Sequence, residues 1–146
     1  MILLSLIAFF SLSFTEIIDH QIPSNVIYQS PLDIKVYTDY NSKDIAQLNL
    51  YYRSGSSGPY MMGKFTSLSN DYYSHTIPAE FLNTKYIEYY ILLEKSSGEY
   101  ISIPNNDPHD VPLSVRVSEP NDFDSLDFEV TGLSADVNII SPQPNQ

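Results

Sequence analysis

The residues with which this chain could do acid–base or metal chemistry are few. There are three histidines, 18 Asp and Glu, and no cysteine. His20, His75 and His109 do not stand at ligand spacing, and no His-Glu-x-x-His motif joins them to a general base. A lone mid-strand histidine such as His75 reads as a tolerated residue at a sheet edge, not as a catalytic base. Asp107-Pro108-His109-Asp110, preceded by Asn105 and Asn106, concentrates oxygen ligands in one loop. Calcium requires about six to eight oxygens from a shaped loop, and the spacing here matches no such loop. A turn in which Asn and Asp bond their own backbone explains it better. Asp122, Asp124 and Asp127 lack the glycine and closing glutamate of a calcium site and read as solvated. There is no Gly-x-Ser-x-Gly, no phosphate-cradling loop and no thiol nucleophile. No catalytic residue, metal ligand or cofactor is assigned, and the expectation is a protein that is not an enzyme.

The remaining chemistry is aromatic. Twelve tyrosines stand against seven phenylalanines and no tryptophan. Tyr51 and Tyr90 fall on outward positions of two strand-like segments, with Tyr60 and Tyr72 as their expected neighbours. A phenol ring can stack on a sugar or anchor a protein partner, although outward tyrosine is also ordinary cross-strand packing.

The elements that position these side chains follow from alternation. Leu32, Ile34 and Val36 alternate with Asp33, Lys35 and Tyr37; Leu48, Leu50 and Tyr52 alternate with Asn49, Tyr51 and Arg53. Tyr73, His75 and Ile77 share a face before Pro78, which ends its strand for want of an N–H. Ile87, Tyr89, Ile91 and Leu93 point one way; Glu88, Tyr90, Leu92 and Glu94 point the other. Ser96-Ser97-Gly98 turns the chain back into Tyr100–Ile103. The last strand is interrupted from Pro104 and resumes near Val111. Turn signals recur every ~8–12 residues, and ten prolines are spread too densely for long helices. The pattern predicts an all-β, antiparallel two-sheet sandwich of about seven strands over residues 24–118. Phe81 and Leu82 are expected to close one end of it.

Leu48-Asn49-Leu50-Tyr51-Tyr52-Arg53, Tyr73 to Pro78, and Ile87-Glu88-Tyr89-Tyr90-Ile91 with Gly98 resemble the Ig-like and fibronectin type III-like modules of bacterial exported and cell-surface proteins. That resemblance implies a non-catalytic spacer or adhesion-type module, with Tyr86 or Tyr89 in a tyrosine-corner-like role. It also allows a carbohydrate-binding module or an accessory domain of an exported hydrolase. The sequence lacks the cysteine pair and tryptophan of an antibody-type domain.

Outside the sandwich, the apolar, uncharged run within residues 1–14 has the length of a signal-peptide core, with Ser11 and Ser13 at cleavage-compatible positions. The alternative is a buried first strand or helix. Export places the protein in a secreted, periplasmic or cell-surface location, with no membrane span after cleavage. Residues 119–136 form an acidic linker without Lys or Arg, and 137–146 begin either a truncated following module or a disordered tail. The chain is expected to be tethered to further domains of the same polypeptide. A formal net charge of −11 repels nucleic acid and anionic lipid surfaces alike. The partner is therefore expected to be a protein or a glycan, reached through the Ser54–Gly58 and Asn105–Asp110 loops or the outward tyrosines.

Overall fold

The computed structural model describes residues 17–119. The expected signal peptide, the linker beyond residue 119 and the segment 137–146 lie outside the described residues. The described residues form ten strands, β1 (Ile18–Asp19), β2 (Val26–Ile27), β3 (Leu32–Thr38), β4 (Ile45–Ser54), β5 (Met61–Lys64), β6 (Thr66–Ser67), β7 (Tyr72–Ile77), β8 (Tyr86–Lys95), β9 (Tyr100–Ile103) and β10 (Leu113–Ser118). A single 3-10 turn, Ala79–Phe81, precedes β8. One sheet runs β1-β3-β7-β6. The other runs β2-β10-β8-β4-β5, with β9 also beside β8.

Ten strands replace the seven or so expected, for three local reasons. The entering segment gives β1 to the first sheet and β2 to the second. The path after β4 changes sheet at Phe65, so that β5 pairs with β4 and β6 with β7. Finally, β9 and β10 follow one another along the same side of β8, with Ile103 opposite Ile91 and Leu113 opposite Tyr89. Residues 104–112 bulge out between them, beginning at a cis Ile103–Pro104 bond. One pairing departs from the antiparallel expectation: β2 runs parallel to β10. These strands are far apart in the sequence, so no hairpin dictates their direction.

Alternation decides what is buried. Leu48, Leu50 and Tyr52 of β4 and Ile87, Tyr89, Ile91 and Leu93 of β8 turn inward against Leu32, Ile34 and Val36 of β3 and Ile77 of β7. Ile34, Leu50, Ile77, Ile91 and Leu93 are all completely excluded from solvent. Leu82, from the turn before β8, is buried with them, and Phe81 packs against the cluster. Gly98 closes the β8–β9 turn at φ 86, a conformation without penalty only for glycine. Its N–H donates to the Lys95 carbonyl. Strand pairing starts upstream of residue 24, because Thr38, itself buried, donates from Oγ1 to the Ile17 carbonyl at 2.8 Å.

The sheets approach closely where β5 faces β7. Gly63 has no side chain because the His75 imidazole occupies that space: a Cβ on Gly63 would overlap the ring. The ring is held by its Nδ1–H, which donates to the Lys64 carbonyl at 2.9 Å, and it packs near Tyr52 and Phe65. Gly63→Ala is expected to destabilise the fold by about 1–3 kcal/mol through overpacking. In a His75→Ala background the same substitution should cost at least about 0.5 kcal/mol less. Urea unfolding of the four proteins measures the coupling, and strict additivity would refute this account of the glycine.

Candidate interaction surface

The outer face of the second sheet carries a connected group of side chains around Tyr51 and Tyr90, which the ladder places directly opposite one another. Their rings are parallel within 8° with centroids 4.8 Å apart. Two rings lying side by side in one plane cannot approach so closely, so these stand upright on the sheet, face against face. The rings of Tyr60 and Tyr90 form a T-shaped pair with centroids 5.1 Å apart. The Arg53 guanidinium covers the Tyr60 ring, 4.3 Å above its centroid. Nε and Nη2 of Arg53 both donate to Glu88 Oε2, at 2.9 and 2.7 Å, and Nη1 donates to the Gly58 carbonyl at 3.3 Å.

The bulge at 104–112 explains the shape of this surface. Tyr90 lies on β8 between the residues paired with β9 and those paired with β10, so the bulge leaves the ladder beside it. The bulge then leans toward Tyr60, whose hydroxyl donates to the His109 carbonyl at 3.3 Å. The His109 ring reaches within 5.3 Å of Tyr60 and 6.4 Å of Tyr90. Tyr90 is consequently only 9% exposed. Its burial, followed by the nearby Tyr51 and Tyr60 phenols, raises its pKa. Tyr60 is likewise raised, chiefly by burial, with Arg53 opposing.

The four tyrosines singled out in the sequence therefore have different fates. Tyr51, Tyr60 and Tyr90 come together, but Tyr90 is a buried support and not an exposed contact. Tyr72 belongs to the other sheet, where it lies 52% exposed opposite Tyr37, ring centroids 5.2 Å apart. Two neighbours escaped the sequence reading. Met62 is the cross-strand partner of Tyr51 and is 52% exposed. Tyr100 pairs with Glu94, which raises its pKa mainly by accepting its hydrogen bond, and its phenol also feels Tyr51. The signal for both is register, since each sits opposite an outward residue of a neighbouring strand. With half-buried Leu92, residues Tyr51, Met62 and Tyr100 make an apolar and aromatic patch bordered by Arg53, Glu88 and Glu94.

The histidines stay apart. His20 bonds to the Lys35 carbonyl and the Tyr89 hydroxyl, His75 lies over Gly63, and His109 Nδ1 stands 3.1 Å from Asp110 Oδ1. Tyr89, suggested for a corner role, is fully buried, and burial raises its pKa strongly; Tyr86 is half exposed. Turn bonding governs the Asp107 loop, where the Asp107 carbonyl accepts from both the Asp110 and Val111 amides. Among the described residues no group of three His, Asp or Glu is placed to hold a metal ion. Among them, too, no helix is long and apolar enough to cross a membrane.

No family model and no curated protein matches this sequence. Among solved structures, the chain is similar in fold to part of the endo-β-1,4-mannanase from Thermotoga petrophila, at 8% identity and a TM-score of 0.51. The match covers 73% of this chain and 20% of that one, so it concerns one region of a larger protein.

The supporting role of Tyr90 has a measurable consequence. Tyr90→Ala should cost about 3 kcal/mol or more, because it empties a site roofed by Tyr60 and His109. Tyr51→Ala should cost about 1 kcal/mol, the scale of one aromatic pair. Urea midpoints at constant slope report both, and a Tyr90→Ala loss no larger than that of Tyr51→Ala would contradict the burial order.

Proposed function

We propose that this chain is a non-catalytic Ig/fibronectin-III-like module of an exported protein, and that it meets a protein partner through the outer face of its second sheet. The observation that carries this reading is the patch made by exposed Met62 of β5 and Tyr100 of β9 with half-buried Tyr51 of β4, on the strands that form and flank the β4–β8 ladder. Aromatic and methionine side chains ringed by a charged rim have the composition of interface centres. A phenol ring on a rigid sheet costs little side-chain entropy to dock, and a flexible thioether beside it adapts to the surface it meets. The segmented strand order, with the entering segment shared between both sheets, supports the Ig-like comparison. The uncharged apolar run within residues 1–14 supports export.

A second reading, an accessory or carbohydrate-binding module of an exported hydrolase, is favoured by the fold likeness to part of a mannanase. The upright Tyr51–Tyr90 stack counts against a sugar platform, since the ring faces are turned toward each other and not toward solvent.

A photo-activatable phenylalanine analogue placed at Met62, and separately at Tyr72 on the opposite sheet, tests the first reading in the producing cells. Discrete protein adducts from position 62 and few or none from 72 are expected. Equal yields from both would remove the assignment of this face. Retention of the chain on insoluble β-1,4-mannan, lost in Tyr51→Ala, would replace it with the second reading.

A further inference from the structure

His20 joins the first strand to both sheets. Its Nδ1 lies 2.8 Å from the Lys35 carbonyl of β3, and its Nε2 lies 2.8 Å from the Tyr89 hydroxyl of β8. A carbonyl only accepts, so Nδ1 carries the hydrogen and Nε2 accepts from the phenol. The Tyr89 ring also meets the imidazole edge-on, with centroids 5.6 Å apart. Tyr89 has no exposure to solvent. The neutral ring thus satisfies a hydroxyl sealed within the core.

Proton uptake reverses one of these bonds. With Nε2 protonated, both ring nitrogens donate, and the phenol hydrogen must find another acceptor inside the core. A positive charge is also brought beside a fully buried ring. The charged groups near the imidazole do little to offset this. Asp19, its chain neighbour, favours the cation, but desolvation outweighs both that carboxylate and the Lys35 carbonyl. The segment held by this contact is short. Two residues of β1 pair with β3, supplemented by Ile17 N–H to Asp39 Oδ1 at 2.6 Å, Asp39 N–H to the Ile17 carbonyl at 3.3 Å, and Thr38 Oγ1 to the same carbonyl. By contrast β4 and β8 share a long ladder.

We propose that His20 is an acid-sensitive clasp, whose protonation releases the first strand from β3 and opens that edge of the four-stranded sheet while the β4–β8 core stays folded. The opened edge presents the unpaired backbone of Tyr37 to Asp39, the kind of edge to which another strand adds. The sign follows from linkage. Burial lowers the His20 pKa below its ordinary 6.5, so the clasp is at full strength above that value. It is lost as pH falls through the lowered folded-state value.

The test uses the full chain. Imidazole resonances follow His20 by NMR, and amide exchange is read for Ile17 and Asp39 at pH values of about 7.5 and 5, corrected for intrinsic pH dependence. The expected result is His20 titration below its ordinary value, with exchange at Ile17 and Asp39 at least about tenfold faster at the lower pH. Leu50 and Ile91 should remain protected throughout. His20→Gln, which hydrogen-bonds without titrating, should abolish the pH dependence. Three outcomes would overturn the proposal: a ring that takes up no proton in this range, a ring that does so with Ile17 and Asp39 unchanged, or simultaneous loss of protection at Leu50 and Ile91.

Discussion

Everything else in this structure is arranged around the antiparallel ladder between β4 and β8, in which Leu48 faces Leu93, Leu50 faces Ile91 and Tyr52 faces Tyr89 across the inward side. Because side chains in a strand alternate between faces, fixing these pairs also fixes Tyr51 against Tyr90 and Arg53 against Glu88 on the outward side. A slip of one residue would carry the whole apolar set into water, so the cost of hiding it sets the register of the outer face as well. The first sheet then supplies the lid: Ile34 and Val36 from β3 and Ile77 from β7 complete an interior without a disulfide.

The outward side shows how a strand pattern becomes a surface. Tyr90 is outward by parity, yet it is covered because the last strand leaves β8 at this point. That departure creates the 104–112 bulge, which with Tyr60 and Arg53 encloses the ring. What remains open is displaced to one side, onto Tyr51, Met62 and Tyr100. The Arg53–Glu88 pair, with both side chains more than four-fifths buried, sits at the border between covered and open regions. Its guanidinium also stacks on Tyr60, so it works as a packing element as well as an ion pair.

Much of this was legible in the sequence, because alternation reports burial directly. The inward roles of Ile34, Leu50, Ile91 and Leu93, the interruption after Ile103 and the turn at Gly98 all follow from side-chain parity and local turn chemistry. The parts that were not legible depend on which strands become neighbours. Tyr72 was grouped with Tyr51 because both are outward tyrosines, but parity does not say to which sheet a strand belongs. Met62 and Tyr100 went unrecognised for the same reason. The parallel β2–β10 pairing and the sheet change at Phe65 are long-range choices made by core packing, with no local signature. In the sequence His20 is a histidine without a partner at ligand spacing, and only the Lys35 and Tyr89 contacts reveal that it is built into the fold.

The central claim is that Ile91 and Leu92, adjacent on β8, lie on opposite faces of the sheet, one fully buried and the other half-buried, and a pair of matched substitutions tests it most directly. Ile91→Asn and Leu92→Asn, compared by urea unfolding, place the same polar group on the two faces. The account predicts that Ile91→Asn removes about 3–5 kcal/mol, by opening a cavity around an unpaired amide, whereas Leu92→Asn costs about 1 kcal/mol or less. Equal losses at the two positions, or a larger loss at Leu92, would contradict it.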